Sequence, residues 1–278
     1  MMSPMILHSS MIGIKGVMKM PKFFVMSDIH GFYIEMREAL DKAGFDENNE
    51  NHWLVTCGDH FDRGSKPVEV MRYLKSLPRK ILVRGNHEQL LVECCRRGYP
   101  GSHDYSNGTF DTICEIGDAK MGYSFDECCD ITLSRIRLFL NNMVDYFETK
   151  NHIFVHSWVP LISKDGLPAY YTRNRKFEFN PNWRQASAKE WEDSRWGNPF
   201  EMAERGLLPD KTVVFGHWHC STGWAKTEGC SEFGKDAKFD PYYGNGFISI
   251  DACTAHSGKV NVVIIEDDFI EVTDEINK

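Results

Sequence analysis

Five short segments concentrate the residue types that hold divalent metals and move protons. They read Asp28-Ile29-His30-Gly31, Gly58-Asp59-His60-Phe61-Asp62-Arg63-Gly64, Gly85-Asn86-His87-Glu88, Val155-His156-Ser157 and Gly216-His217-Trp218-His219. Carboxylate, imidazole and amide oxygen together suit divalent Mn, Fe or Zn. A lone Asp-x-His or His-x-His pair arises often by chance, and a lone histidine is usually a satisfied structural residue. Five such segments in order, each directly after an apolar run, point to one shared site. Side chains alternate along an extended strand end, which puts Asp28 with His30, and His217 with His219, on a common side. Each pair is then expected to chelate one ion. His8, His52, His103, His152 and His256 lack this setting and read as structural or solvated. His60, inside the second segment, is set aside with them.

The elements that must carry these segments are legible around them. Phe23–Met26, Trp53–Cys57 and Lys80–Val83 are short apolar runs that read as buried strands. Helical spacing follows each: Tyr33, Met36, Leu40 and Ala43 before Gly44; Pro67 through Leu74; and Leu90 to Val92. Residues 98–130 are polar and Gly-rich and read as an insertion over one face. A helix is expected over Ile131–Tyr146, strands at His152–Val155 and Thr212–Phe215, and a short helix near Ala188–Trp191. Gly246–Asp251 and Lys259–Ile265 read as a closing strand pair. Strand–loop–helix units followed by strand pairs imply two packed sheets flanked by helices. Ligands of such α/β sheets sit beyond the carboxyl ends of the strands, where the five segments fall.

Composition bounds the partners. The chain has 278 residues, 42% apolar and 26% charged, with 18 Phe, 10 Tyr and 7 Trp, enough for a large core. Its net charge is −8, which argues against sequence-independent nucleic-acid binding. No run approaches the ~18 apolar residues of a membrane span. Nine cysteines, an odd number without a C-x-x-C, argue against a disulfide framework and for a reducing, cytoplasmic setting. Residues 1–20 read as a weakly ordered extension, and 21–278 as one catalytic domain.

The order D-x-H-G, G-D-x-x-D-R-G, G-N-H-E, a strand-end His and G-H-x-H resembles the calcineurin-like metallophosphoesterases. The second and third motifs are similar to the phosphoprotein phosphatase branch, which includes bacterial and phage serine/threonine phosphatases and symmetrical dinucleoside tetraphosphatases. The resemblance spans about residues 22–265. It implies a four-layer αββα sandwich and two divalent ions, with a hydroxide between them as nucleophile. By the same resemblance, Asp28, His30 and Asp59 hold the first ion. Asp59 bridges, Asn86, His156 and His217 complete the second, and His219 reaches the first directly or through water. Arg63 clamps phosphate oxygens, and His87, oriented by Asp62, protonates the leaving oxygen. A second phosphate-binding arginine is expected among Arg173, Arg175, Arg184 and Arg195, with Arg195 favoured by its frame of Trp191 and Trp196.

The reading that follows is a metal-dependent phosphomonoester hydrolase, foremost a serine/threonine protein phosphatase acting on a phosphorylated protein or small phosphoester. A dinucleoside tetraphosphatase on the same metal core is the alternative. A catalytically dead binding module would lack a ligand, and none is missing.

Overall fold

The computed structural model describes residues 20–164 and 176–270. The expectations for residues 1–19 and for Arg173 and Arg175 lie outside the described residues.

The first half builds a sheet and one helical layer. In chain order the elements are β1 (Lys22–Met26), α1 (Tyr33–Ala43), β2 (His52–Cys57), α2 (Pro67–Ser76), β3 (Lys80–Val83), α3 (Asn86–Arg97), α4 (Ser102–Asn107), α5 (Thr109–Ile116), α6 (Phe125–Asn141) and β4 (Met143–Val144). Then come β5 (Phe147–Glu148), β6 (His152–Phe154), β7 (Ile162–Ser163), β8 (Phe177–Glu178), α7 (Ala188–Ser194), α8 (Pro199–Glu204), β9 (Thr212–Phe215), α9 (Ser221–Glu228), β10 (Tyr242–Gly244), β11 (Phe247–Ser249), α10 (Thr254–Ser257) and β12 (Val263–Glu266). One sheet runs β12-β1-β2-β3-β4 and the other β10-β11-β9-β6-β5; both are mixed.

Strand alternation sorts the core into three layers. On β1, Phe23 and Val25 join Val55, Cys57, Phe154, Val214 and Ile248 between the two sheets. Phe24 and Met26 pack instead with Met36, Leu40 and Leu74 of α1 and α2. On the far side, Val213 and Phe215 meet Trp191 and Phe200 of α7 and α8. This is the four-layer αββα sandwich, with strands apolar on both faces because both faces are covered.

Two expectations are corrected. The helix expected over Ile131–Tyr146 runs Phe125–Asn141. Its start is set by a capping box, in which the Ser124 N–H donates to Glu127 Oε2 at 2.8 Å. Met143 and Val144 leave it to extend the first sheet beside β3. The two closing strands do not pair with each other. β11 lies parallel to β9, while β12 lies antiparallel to β1 in the other sheet. Their burial differs: β11 is buried throughout, and β12 alternates buried and exposed, as a strand with one covered and one solvent-facing side does.

The carboxyl ends of β1, β2, β3, β6 and β9 meet along one edge, and polar bonds stitch the sheets together there. The His217 N–H donates to Asp28 Oδ2 at 2.9 Å, and His156 Nδ1 lies 2.8 Å from the Cys57 carbonyl. All nine cysteines are free thiols, and among the described residues no helix is long and apolar enough to cross a membrane.

Candidate metal centre

The loops at these strand ends are not extended. Asp28, His30, Asp59, Asp62, Arg63 and His217 all have left-handed backbones, with φ between 50° and 74°. Each such non-glycine residue costs ~1–3 kcal/mol and persists only where its surroundings impose it. Close approach does so here. A Cβ on Gly85 would sit 2.1 Å from Asp59 Oδ1, and one on Gly216 would sit 1.8 Å from Ser27 Oγ.

Left-handed residues break the period of two, so the pairing argument from strand alternation does not hold. Asp28 and His30 still converge, with Asp28 Oδ1 3.8 Å from His30 Nε2. His217 and His219 separate. The His219 Nδ1 is 3.1 Å from Ser221 Oγ, and its ring packs on Phe233 at 4.6 Å. Two clusters gather here, His30–Asp59–His87 and Asp59–His156–His217; neither Asp28 nor His219 is among their members.

Asp59 is common to both clusters, and its two oxygens face different ways. Oδ2 lies 3.7 Å from His30 Nε2, and Oδ1 lies 3.4 Å from His156 Nε2. The backbone fixes which ring nitrogen is free. His30 Nδ1 is 2.9 Å from the Phe61 carbonyl and His156 Nδ1 2.8 Å from the Cys57 carbonyl, so both donate there and present Nε2 as a lone pair. His156 Nε2 then faces Asn86 Oδ1 at 2.7 Å, and His217 Nδ1 faces the same oxygen at 3.1 Å. With its Nε2 presented as a lone pair, His156 lies beside Asn86 Oδ1 as a neighbouring donor that one cation can share.

The electrostatics agree. Burial, joined by the charges of Asp251 and Asp59, raises the Asp28 carboxyl well above the usual range. Burial also raises Asp59. Burial pushes His156 and His217 down to about 3 and lowers His30, which keeps all three neutral as ligands must be. Packed carboxylates and neutral imidazoles are a donor set that fits divalent cations.

Beside the metal donors, His87 Nδ1 lies 2.7 Å from Asp62 Oδ2, which also accepts from Thr109 Oγ1 at 2.8 Å. The Asp62 N–H donates to Thr112 Oγ1 at 3.0 Å, so α5 of the 98–130 insertion holds this loop. Arg63 is exposed at the cleft. Its guanidinium lies 2.9 Å from His30 Nε2 and 3.4 Å from His87 Nε2. A cavity of about 190 Å³ opens here, floored by the metal donors and walled by Leu90, His103, Asn107 and Trp196. His103, whose sequence setting reads as structural or solvated, lines this cleft. A larger groove of about 520 Å³, with mixed charge, lies elsewhere between α2, α5 and α6.

Arg195 is placed otherwise than a phosphate clamp requires. It is buried, ion-paired to Asp145, and absent from the cavity lining; its neighbour Trp196 stands there instead. Arg184 pairs with Glu148 and Asp210. Sequence reasoning also missed Asp251, a buried acid that burial and the charge of Asp59 push up to about 6, and set aside His60, whose Nδ1 lies 3.0 Å from Glu88 Oε1. No spacing signal singled out Asp251, which ends an ordinary apolar run.

The two mixed sheets, the helices that cover them and the donor set at their common edge define a metallophosphoesterase, an enzyme that hydrolyses phosphoesters. Residues 21–221 match the calcineurin-like phosphoesterase family, and the chain belongs to it. A protein of Hamiltonella defensa named bis(5'-nucleosyl)-tetraphosphatase, symmetrical, is 22% identical over 232 residues, 72% of this chain and 84% of its own. The protein of that name from Proteus mirabilis is 41% identical over 70 residues, 25% of each chain. A cold-active protein-tyrosine phosphatase from a psychrophilic Shewanella species is 15% identical and shares the fold. Its TM-score is 0.50 over 89% of this chain and 76% of that one.

Proposed function

We propose that the chain hydrolyses a nucleotide phosphoanhydride or phosphoester, of the dinucleoside polyphosphate type, at a two-ion centre. The carrying observation is Asp59, whose two carboxylate oxygens face two different donor sets. Asp28, His30 and Asp59 form one ligand set; Asp59, Asn86, His156 and His217 form the other. When bound, two divalent ions neutralise the phosphoryl oxygens and make water nucleophilic at neutral pH. Mn, Fe and Zn all suit these donors. Arg63 binds phosphate oxygens in front of the ligands, and His87, held by Asp62, gives the leaving oxygen its proton.

The nucleotide assignment is supported by the relative that matches most of the chain, whose name carries that substrate, and by Trp196 and Leu90, which offer a flat apolar wall beside the phosphoryl position. A serine/threonine protein phosphatase is the second reading. The His87–Asp62 pair favours it, because an alkoxide needs a positioned acid more than a phosphate leaving group does. A panel with Mn-loaded protein separates them: a dinucleoside tetraphosphate, nucleoside phosphates, phosphoserine peptides and a bis-aryl phosphodiester. The tetraphosphate is expected to give the highest kcat/KM, with nucleoside diphosphate as product. A phosphopeptide in first place would replace the nucleotide reading with the second one.

Arg63→Ala is expected to lower kcat/KM about tenfold and leave the metal content unchanged. A hydrogen bond to a charged group is worth ~1.5–3 kcal/mol, and the exposure of Arg63 puts it at the low end. Kinetics with metal analysis checks this, and an unchanged kcat/KM would remove Arg63 from substrate binding.

A further inference from the structure

One buried carboxylate holds two of the ligand-bearing loops against each other. Glu88 Oε2 accepts from the N–H of Gly85 at 2.7 Å and of Asp59 at 3.2 Å. Its Oε1 accepts from the N–H of His60 at 2.9 Å and from His60 Nδ1 at 3.0 Å. Glu88 is thus more than the third residue of a capping box on α3. Four donors from two loops converge on it, and all of its surroundings are buried. One of those loops carries Asp59 and the other Asn86.

His60 completes the arrangement. With Nδ1 given to Glu88, its Nε2 accepts the Thr56 hydroxyl of β2 at 2.7 Å, and its ring packs edge-on against Phe139 of α6 at 5.5 Å. The carboxylate is therefore tied to the frame of the first sheet through a single side chain. These contacts also oppose the backbone cost at Asp59, whose left-handed conformation aims its carboxylate between the two donor sets. Without an acceptor at the Asp59 and His60 N–H groups, two buried donors would be left unpaired.

We propose that Glu88 and His60 are positioning residues: a buried acid–imidazole clamp that sets the spacing of Asp59 and Asn86 and so decides the affinity and coupling of the two ions. The proposal rests on the two-ion reading above. Glu88→Gln keeps the size but turns an amide N–H₂ toward N–H donors: at the Oε1 position His60 loses its acceptor, and at the Oε2 position Gly85 and Asp59 lose theirs. His60→Phe keeps a ring against Phe139 but leaves the buried carboxylate without its side-chain partner. His60→Gln retains a donor for Glu88.

The test is Mn titration of metal-free protein by calorimetry, with electron paramagnetic resonance to detect magnetic coupling between the ions. The parent chain is expected to bind two coupled ions. Glu88→Gln is expected to weaken Mn binding tenfold or more and to lose the coupled signal. His60→Phe should follow it, and His60→Gln should recover most of the affinity. Leu74→Ala, which cavitates the core under α2 and removes no hydrogen bond of the clamp, is the control for simple loss of stability. It should keep the coupled pair at a matched drop in Tm. If Glu88→Gln does not fold, His60→Phe and His60→Gln carry the same comparison. Unchanged affinity and coupling in the clamp variants overturns the clamp alone, as does an equal loss in Leu74→Ala. A parent chain that binds no Mn overturns the two-ion reading and the clamp with it.

Discussion

Asp59→Asn should bind both ions more weakly than the parent by a factor of at least about one hundred. The reason is that a single charge is shared. Removing one partner of a buried, charge-paired set costs ~3–5 kcal/mol, and here both donor sets lose the same negative group. The loss should be uneven. Asp59 Oδ1 accepts the His87 N–H at 3.0 Å, so that position must remain an oxygen. The amide nitrogen of Asn then occupies the Oδ2 position and turns N–H groups toward His30, so the Asp28–His30 side should lose more. Stability of the metal-free protein should move the other way. Burial raises the Asp59 carboxyl, which means the folded state disfavours its charge at neutral pH. A neutral isostere removes that cost, and the metal-free Tm should rise or hold. Two ions held as tightly as in the parent, measured by metal analysis after dialysis, would end the bridging assignment.

Most of the framework of this site is legible in the sequence because short-range rules govern it. The apolar runs before Asp28, Asp59, Asn86, His156 and His217 are strands covered on both faces, and a ligand-bearing loop at each carboxyl end follows from the topology. What the sequence hides is conformational. Nothing in the Asp28-Ile29-His30 or His217-Trp218-His219 spacing says that the first residue is left-handed, and that turn is what sends His219 toward Ser221 and Phe233. Long-range partners are hidden for another reason. Asp145 is 50 residues from Arg195, and only the docking of α7 against the β4–β5 connection brings them together. The same holds for His103 and Asn107, which a polar insertion places over the cleft. The Trp191 and Trp196 frame that favoured Arg195 does reach the site, but through Trp196: its main chain hydrogen-bonds the His217 ring while its indole N–H reaches Gln89.

His87→Asn should keep substrate binding close to normal and lose kcat. His87 lies between two kinds of neighbour. Its Nδ1 is 2.7 Å from Asp62 Oδ2, and its Nε2 is 3.8 Å from Asp59 Oδ2 on the cleft side. Burial pulls its pKa down, but the charges of Asp59 and Asp62 and the bond to Asp62 push it up, with a net rise. A histidine whose Nδ1 is fixed by Asp62, with Nε2 toward the cleft, is placed to act as an acid. A positioned acid contributes roughly 10²–10⁴-fold. The full loss is expected on phosphoserine peptides, whose alkoxide is a strongly basic leaving group. Smaller losses are expected on a dinucleoside tetraphosphate and on p-nitrophenyl phosphate, because both leaving groups are far less basic than an alkoxide. Asp62→Asn should show the same ordering with smaller losses, since the Thr109 hydroxyl still holds the side chain at position 62 and Arg63 still lies beside the His87 ring, but the charge that holds its proton is lost. His87 also sits within ligand distance of His30 and Asp59, so metal analysis of the variant is part of the measurement. Retention of both ions together with the graded loss establishes proton donation. Equal losses on all three substrates with both ions present would argue against it, and the loss of one ion would make His87 a ligand.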